Sequence, residues 1–330
     1  MKTVTIEKND AGQRLDKFLT KTFRNLPVSM MYKYIRQKDI KLNGKRCDIS
    51  TRLQPGDVLT LYVKEEFLTE TAPVYDFLTA SRQLDIVYED AHLLLLNKKA
   101  GLLVHPDDRE FRDTLIARVQ RYLYEKGEYD PAAENSFAPA LVNRIDRNTC
   151  GIVIAAKTAA ALRILNDKLK NREIEKYYLC IVHGILKKKE DTLLGYLEKD
   201  EKRNQVTVLD AASGGRREGA RSIATRYRVL EEREGLSLLE IQLLTGRTHQ
   251  IRAHLASIGH PIGGDSKYGD ARFNRLLREN CGITSQLLHA WKLVMPQSLD
   301  EPLSYLSGKS FCAPVPEEFR RVEKRYFPSL

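Results

Sequence analysis

The sequence predicts an α+β chain of two unlike domains, a small basic one ahead of a much larger one built on a mixed or antiparallel sheet. Three observations predict it. The chain has 330 residues, 42% of them hydrophobic, enough to bury more than one core. Apolar patterns of helical and of strand period alternate without the regular βαβ rhythm of a parallel sheet. Finally, the net charge of +10 is unevenly spread: residues 1–63 hold 13 Lys/Arg against 6 Asp/Glu, while the rest hold 41 against 38.

The basic block reads as a domain of its own. Leu15, Phe18, Leu19 and Phe23 fall at helical spacing after Gly12. Ser29 is the expected N-cap of a second helix, Met30 to Gln37, which carries Lys33 and Arg36 and is followed by Lys38 and Lys41. Asn43-Gly44 signals a hairpin turn, and Pro55-Gly56-Asp57 a second turn before an alternating strand from Val58 to Val63. A cationic surface on so small a core attracts polyanions by counterion release, although charge alone also fits an ordinary solvated surface.

Residues 64–83, with Glu65, Glu66, Glu70 and Pro73, show no sustained period and are expected to be a linker. The larger domain then spans 84–330. Leu93 to Leu96 reads as a buried strand, and Thr114 as the cap of a helix bearing Leu115, Ile116, Val119 and Leu123. Glu125 to Phe137 reads as loop. Strands are expected at Gly151–Ala155, Tyr177–Val182 and Ser237–Leu244. Helices are expected at Ala160–Leu169 and after Thr248, the latter ending before Gly259.

Several classes are disfavoured. No apolar run reaches the roughly 18 residues of a membrane-spanning helix, and the N-terminus lacks the apolar centre of a signal peptide. A soluble, cytoplasmic protein is therefore expected. The five cysteines are odd in number and none pair at a metal-ligand spacing, so neither a disulfide framework nor a metal site is expected.

Three segments carry chemistry. In Asn143-Arg144-Ile145-Asp146-Arg147, an aspartate lies between two arginines at the edge of an apolar strand. Neighbouring guanidinium groups favour an ionised carboxylate, which is a competent nucleophile toward an electrophilic carbon. The same residues also suit a structural ion pair. In Thr245-Gly246-Arg247-Thr248-His249-Gln250-Ile251-Arg252, cations gather at a helix start, with His249 and Arg252 on one face. That cluster suits a phosphate or a carboxylate. In Lys176-Tyr177-Tyr178 the two rings point to opposite faces of a strand, one to the core and one free to stack on a base.

Two resemblances follow from these residues. Arg14 to Leu19, Ile40 to Lys45 and Leu53 to Asp57 resemble the S4-type RNA-binding domain, which implies RNA contacts through Lys33, Arg36, Lys38 and Lys41. The larger domain resembles the RluA-type pseudouridine synthases. Asn143 to Gly151 matches the family's aspartate motif, Lys176-x-Tyr178 its tyrosine motif, and Thr245 to Arg252 its arginine motif without change. Gly101–Pro106, Gly259-His260-Pro261, Gly264-Asp265, Tyr268-Gly269 and Leu287–Ala290 match as well. Asn143 stands where the family has histidine, Asn148 where it has aspartate, Cys150 where it has serine, and Lys99 where it often has proline.

The resemblance implies the pseudouridine synthase fold and the isomerisation of uridine in structured RNA, without cofactor or metal. It implies Asp146 as nucleophile, Arg252 as its partner and Tyr178 against the flipped base. Arg144, Arg147, Arg247 and His249 are expected to contact RNA. Large-subunit (23S) ribosomal RNA is the expected substrate and transfer RNA the alternative; a monomer is expected. A non-catalytic RNA-binding protein of the same fold and a metal-dependent nuclease drawing on Asp107, Asp108 and Asp265 are the competing readings.

Overall fold

The computed structural model describes residues 1–68, 75–108, 110–200, 205–210, 215 and 217–327. Glu70 and Pro73 of the expected linker lie outside them.

The N-terminal domain is a four-stranded sheet of order β1-β4-β2-β3 with two helices on it. Its strands are β1 (Lys2–Thr5), β2 (Ile40–Leu42), β3 (Lys45–Arg46) and β4 (Val58–Leu61), and its helices α1 (Leu15–Thr22) and α2 (Val28–Arg36). Leu15, Phe18 and Leu19 are fully buried and Phe23 nearly so, as the helical spacing predicts. Asn43 and Gly44 both take positive φ (52° and 73°), the backbone a tight turn of twist-matched hairpins requires. The second helix begins two residues earlier than expected. Pro27 is its N-cap, with φ −60°, and Ser29 lies inside the first turn without capping.

A polar seam joins this domain to the larger one. Asp10 is wholly buried there and accepts bonds from Asn135 Nδ2 and Ser136 Oγ, each at 2.7 Å. Asn9 donates to Glu134 and accepts from the Ala159 amide, and Arg163 donates to the Ala11 carbonyl.

The larger domain is built on an eleven-stranded mixed sheet. Its strands are β5 (Ile86–Glu89), β6 (Leu93–Lys98), β7 (Ala140–Leu141), β8 (Cys150–Ala156), β9 (Glu175–His183), β10 (Glu190–Asp200), β11 (Gln205–Leu209), β12 (Arg221–Arg233), β13 (Leu236–Leu243), β14 (Leu288–Val294) and β15 (Ser310–Cys312). They run in the order β11-β10-β12-β13-β9-β14-β8-β6-β5, with β15 on β14 and β7 on β8. Among the described residues the one parallel pairing is β8 with β14, near the middle. There Gly151 has φ +108°, and a Cβ on it would lie 2.2 Å from the Ala290 carbonyl oxygen. Only glycine allows the two strands that close.

Helices pack on this sheet. Thr114 and Thr158 cap α3 (Leu115–Glu125) and α4 (Ala159–Lys170) with their hydroxyls. Helices α5 (Gln250–Ser257), α6 (Ala271–Cys281) and α7 (Glu317–Tyr326) follow. Residues Asp76–Thr79 form a 3-10 turn whose Phe77 packs on α3 together with Ala80. The apolar core under β9, β13 and β14 is shared with α5, α6 and α7, so the central strands are fixed from one side by Ile251, Leu255, Leu277 and Phe319.

Strands β10 to β12 are the largest part not anticipated; β13 is the strand expected at Ser237–Leu244. β12, for example, reads Arg221-Ser-Ile-Ala-Thr-Arg-Tyr-Arg-Val-Leu-Glu-Glu-Arg233; it buries Ile223, Thr225 and Tyr227 and turns arginines outward. A half-solvated strand of this kind has too few apolar residues to stand out as a run.

Candidate active site

Asp146 sits in the turn leading into β8, at the middle of the sheet. Its shape is set by local bonds. The Thr149 amide donates to the Asp146 carbonyl at 3.1 Å, closing a four-residue turn. Lys98, only 1% exposed, lies beneath and donates to the carbonyls of Lys99, Leu102 and Arg147 at 2.9, 2.8 and 2.7 Å. Gln286 donates to Thr149 Oγ1 at 3.0 Å. Burial, with no carboxylate bonded to it, pushes the Lys98 ammonium down to about 7. Asn143, at the family's histidine position, accepts from the Ile154 amide at 2.8 Å, so its side chain is spent on holding β8.

Arg252 is carried by the first turn of α5 and is 4% exposed. Its Nη1 donates to Asp146 Oδ2 at 2.8 Å. Its Nε and Nη2 both go to Asp265, at 2.7 and 2.9 Å. Asp265 is itself 1% exposed and accepts from the amides of Lys267 and Tyr268 at 2.8 and 3.1 Å. Burial acts against both charges, but the mutual pairing wins: Arg252 is raised above, and Asp265 lowered below, its ordinary value. The guanidinium also stacks on Tyr268, 5.2 Å from the ring centre.

The start of α5 differs from expectation. Thr248 does not cap it. His249 is the N-cap residue and takes a left-handed φ of 53°. No side chain caps the helix; Gln250 instead ties down the incoming loop, accepting from the Arg247 amide at 3.1 Å and from the Thr245 hydroxyl at 2.8 Å. The strained backbone turns the His249 ring inward, leaving 9% of its side chain exposed and Nε2 4.0 Å from Asp146 Oδ2. The ring of His249, one of the residues expected to contact RNA, thus faces the carboxylate. Burial holds it below its ordinary value, against the pull of Asp146.

Tyr178 lies on β9 between Ile241 of β13 and Ala290 of β14 and is 5% exposed. Burial, and next the charge of Asp146, push its phenol upward, so it stays protonated at neutral pH. Tyr177 points to the opposite face, where its hydroxyl bonds Glu175 and Gln242.

Other expected residues fall outside this cluster. Arg144 and Arg147 are exposed; Arg147 Nε donates to the Gly101 carbonyl at 2.9 Å. Arg252, not the sequence neighbour Arg144, pairs with Asp146. Arg247 is exposed on the loop before α5. In the small domain Lys33, Arg36 and Lys38 are exposed, and Lys41 lies 5.3 Å above the Tyr62 ring. Asp265, an acid a metal-dependent nuclease would have drawn on, is spent on Arg252. Its role was missed, as were those of Tyr268 and Lys98. Each lies in or beside a matched segment, but only the fold brings them under the aspartate.

The chain is similar to known proteins along most of its length. The family described as RNA pseudouridylate synthase matches residues 92–257, and the S4 domain matches residues 13–59. An uncharacterized RNA pseudouridine synthase of Bacillus subtilis is 30% identical over 322 residues, covering 97% of this chain and 96% of its own. Ribosomal large subunit pseudouridine synthase C of Vibrio cholerae is 34% identical over 298 residues, covering 87% and 86%. Among solved structures, human RNA pseudouridylate synthase domain containing 4 superposes with a TM-score of 0.56 at 21% identity, over 73% of this chain and 92% of its own. That last likeness speaks for the fold alone. The chain belongs to the RNA pseudouridylate synthases, as an RluA-type enzyme with an N-terminal S4 domain.

Proposed function

We propose that this pseudouridine synthase acts on large-subunit ribosomal RNA and that Asp146 is its nucleophile. The observation that carries the second part is the Asp146–Arg252 pair: a carboxylate 25% exposed, hence reachable, oriented by a guanidinium that is itself immobilised. The reaction breaks the N1–C1′ bond, turns the uracil and joins C5 to C1′. It needs an anionic oxygen to stabilise or attack the sugar and a closed space that retains the detached base. The base has to leave its helix to reach that space.

Tyr178 then packs on the everted uracil, and its protonated phenol suits that role better than that of a resident base. Arg144 and Arg147, exposed on the same turn as the nucleophile, contact the RNA around the vacated position. Lys33, Arg36, Lys38 and Lys41 grip phosphates at a distance, with Arg247 closer in. The substrate rests on relatives named as large-subunit ribosomal enzymes; transfer RNA is the alternative.

The test is a map of pseudouridines in total RNA from cells with and without the protein, with Asp146→Asn supplied in its place. Sites in large-subunit RNA that vanish without the protein, and that the variant does not restore, are expected. A folded Asp146→Asn protein with full activity refutes the nucleophile; loss confined to transfer RNA refutes the substrate.

A further inference from the structure

Lys176 is a cation without an anion. It precedes Tyr178 by two residues on β9, so the two side chains leave the strand on the same face, the one on which Tyr178 feels the charge of Asp146. Its position opposite Leu293 of β14 sets it inside the sheet, and its side chain is partly buried. Its ammonium lies against the loop entering α5: a Cβ built on Gly246 would be 3.6 Å from Nζ. Among the described residues no carboxylate and no hydrogen-bond acceptor meets it. Burial alone lowers its pKa, with no neighbouring charge acting to raise it.

Every other strongly withdrawn cation in this region is answered. Lys98 has three carbonyls, Lys157 has Glu89 and Glu128, and Arg252 has two aspartates. A desolvated ammonium left unmatched destabilises the protein that carries it, unless a ligand supplies the countercharge. The adjacent Arg247 guanidinium, exposed and also without a side-chain partner among the described residues, shares the same need.

We propose that Lys176 binds a non-bridging phosphate oxygen of the everted nucleotide, holding the ribose beside Asp146. The position suits this ligand. A nucleotide whose uracil packs on Tyr178 and whose C1′ faces Asp146 carries its phosphodiester outside those two contacts, and Gly246, beside the Lys176 ammonium, adds no side chain of its own to crowd it. The inference rests on the reading of Asp146 and Tyr178 given above and names the group that fixes the backbone of the substrate they receive.

The experiment compares wild-type, Lys176→Met and Lys176→Arg proteins on total RNA from cells lacking the enzyme, with pseudouridine formation followed at several salt concentrations. Thermal unfolding is followed without RNA. Loss of one charge-assisted contact predicts a KM raised about tenfold in Lys176→Met, with kcat reduced far less. The slope of log KM against log salt should shrink by about one, the signature of one lost phosphate contact. Lys176→Arg should recover part of the KM. Without RNA, Lys176→Met should unfold about 3 °C higher, because an unmatched charge has been removed. An unchanged KM and salt slope overturns the proposal. So does a Lys176→Met protein less stable than wild type, which would mean the ammonium already has a structural partner. Asp146→Asn on the same RNA reports separately on the nucleophile: its activity does not depend on whether Lys176 holds phosphate.

Discussion

Arg252 gives one nitrogen to Asp146 and two to Asp265, so the buried acid holds the guanidinium in the plane from which it reaches the exposed one. Fork-to-fork pairing of this type fixes direction as well as charge. Asp265 is thus a positioning residue, acting on the chemistry through Arg252.

Asp265→Asn keeps the shape but can accept at only one oxygen. We expect kcat to fall about a hundredfold, the scale on which misplacing a catalytic group acts, with RNA affinity nearly unchanged. Asp265→Ala should in addition destabilise the fold by about 3–5 kcal/mol, because Arg252 would keep a buried, half-matched charge. Steady-state kinetics and urea unfolding separate the two effects.

Tyr268 is placed to set the tautomer of His249. The Val206 amide donates to the Tyr268 oxygen at 2.8 Å, and that hydroxyl lies 3.0 Å from His249 Nδ1. A phenol that donates its own proton to Nδ1 would keep the imidazole neutral with its proton on Nε2, the atom facing Asp146. Nitrogen-15 spectra of histidine-labelled protein should show that tautomer at pH 7. In Tyr268→Phe the preference should be lost and kcat should fall about tenfold, the cost of roughly one hydrogen bond in orientation.

Acid should weaken the fold before most carboxylates titrate. Burial pushes His254 and His289 down to about 4, while an unfolded histidine titrates near 6.5. Between those values the unfolded chain takes up protons that the native chain refuses. Stability should therefore be constant above about pH 7 and fall as pH drops from 6.5 toward 4, by up to about 3 kcal/mol for each histidine. Urea midpoints measured across that window check it. His289→Gln should be less stable at neutral pH and show a shallower slope below it.

The seam between the domains depends on Asp10. Replacing it by alanine strands the Ser136 donor and leaves Asn135 only its longer bond to the Thr5 carbonyl, and should cost about 1–3 kcal/mol. The small domain should then swing away: we expect a larger radius of gyration by X-ray scattering and faster proteolytic cleavage between the domains, with each core still folded. An unchanged scattering profile would show that the remaining bonds from Asn9, Gln13 and Arg163 hold the seam without it.

The chain's chemistry is written in short segments whose meaning is local. The basic helix and the Asn43-Gly44 turn, the apolar run at Leu93–Leu96, the aspartate motif and the arginine motif could all be read where they stand, because helix period, turn backbone and residue type need no partner to be legible. Which arginine meets Asp146 could not be read from spacing, which favours Arg144 two residues away; the resemblance named Arg252, which arrives from 106 residues along the chain. Nor could the inward turn of His249, the Asp265 brace, the carbonyl-bound Lys98 or the charged strands β10 to β12. These depend on desolvation and on directed bonds between distant segments. Such forces act only once the sheet has brought β8, β9 and β14 side by side and α5 across them.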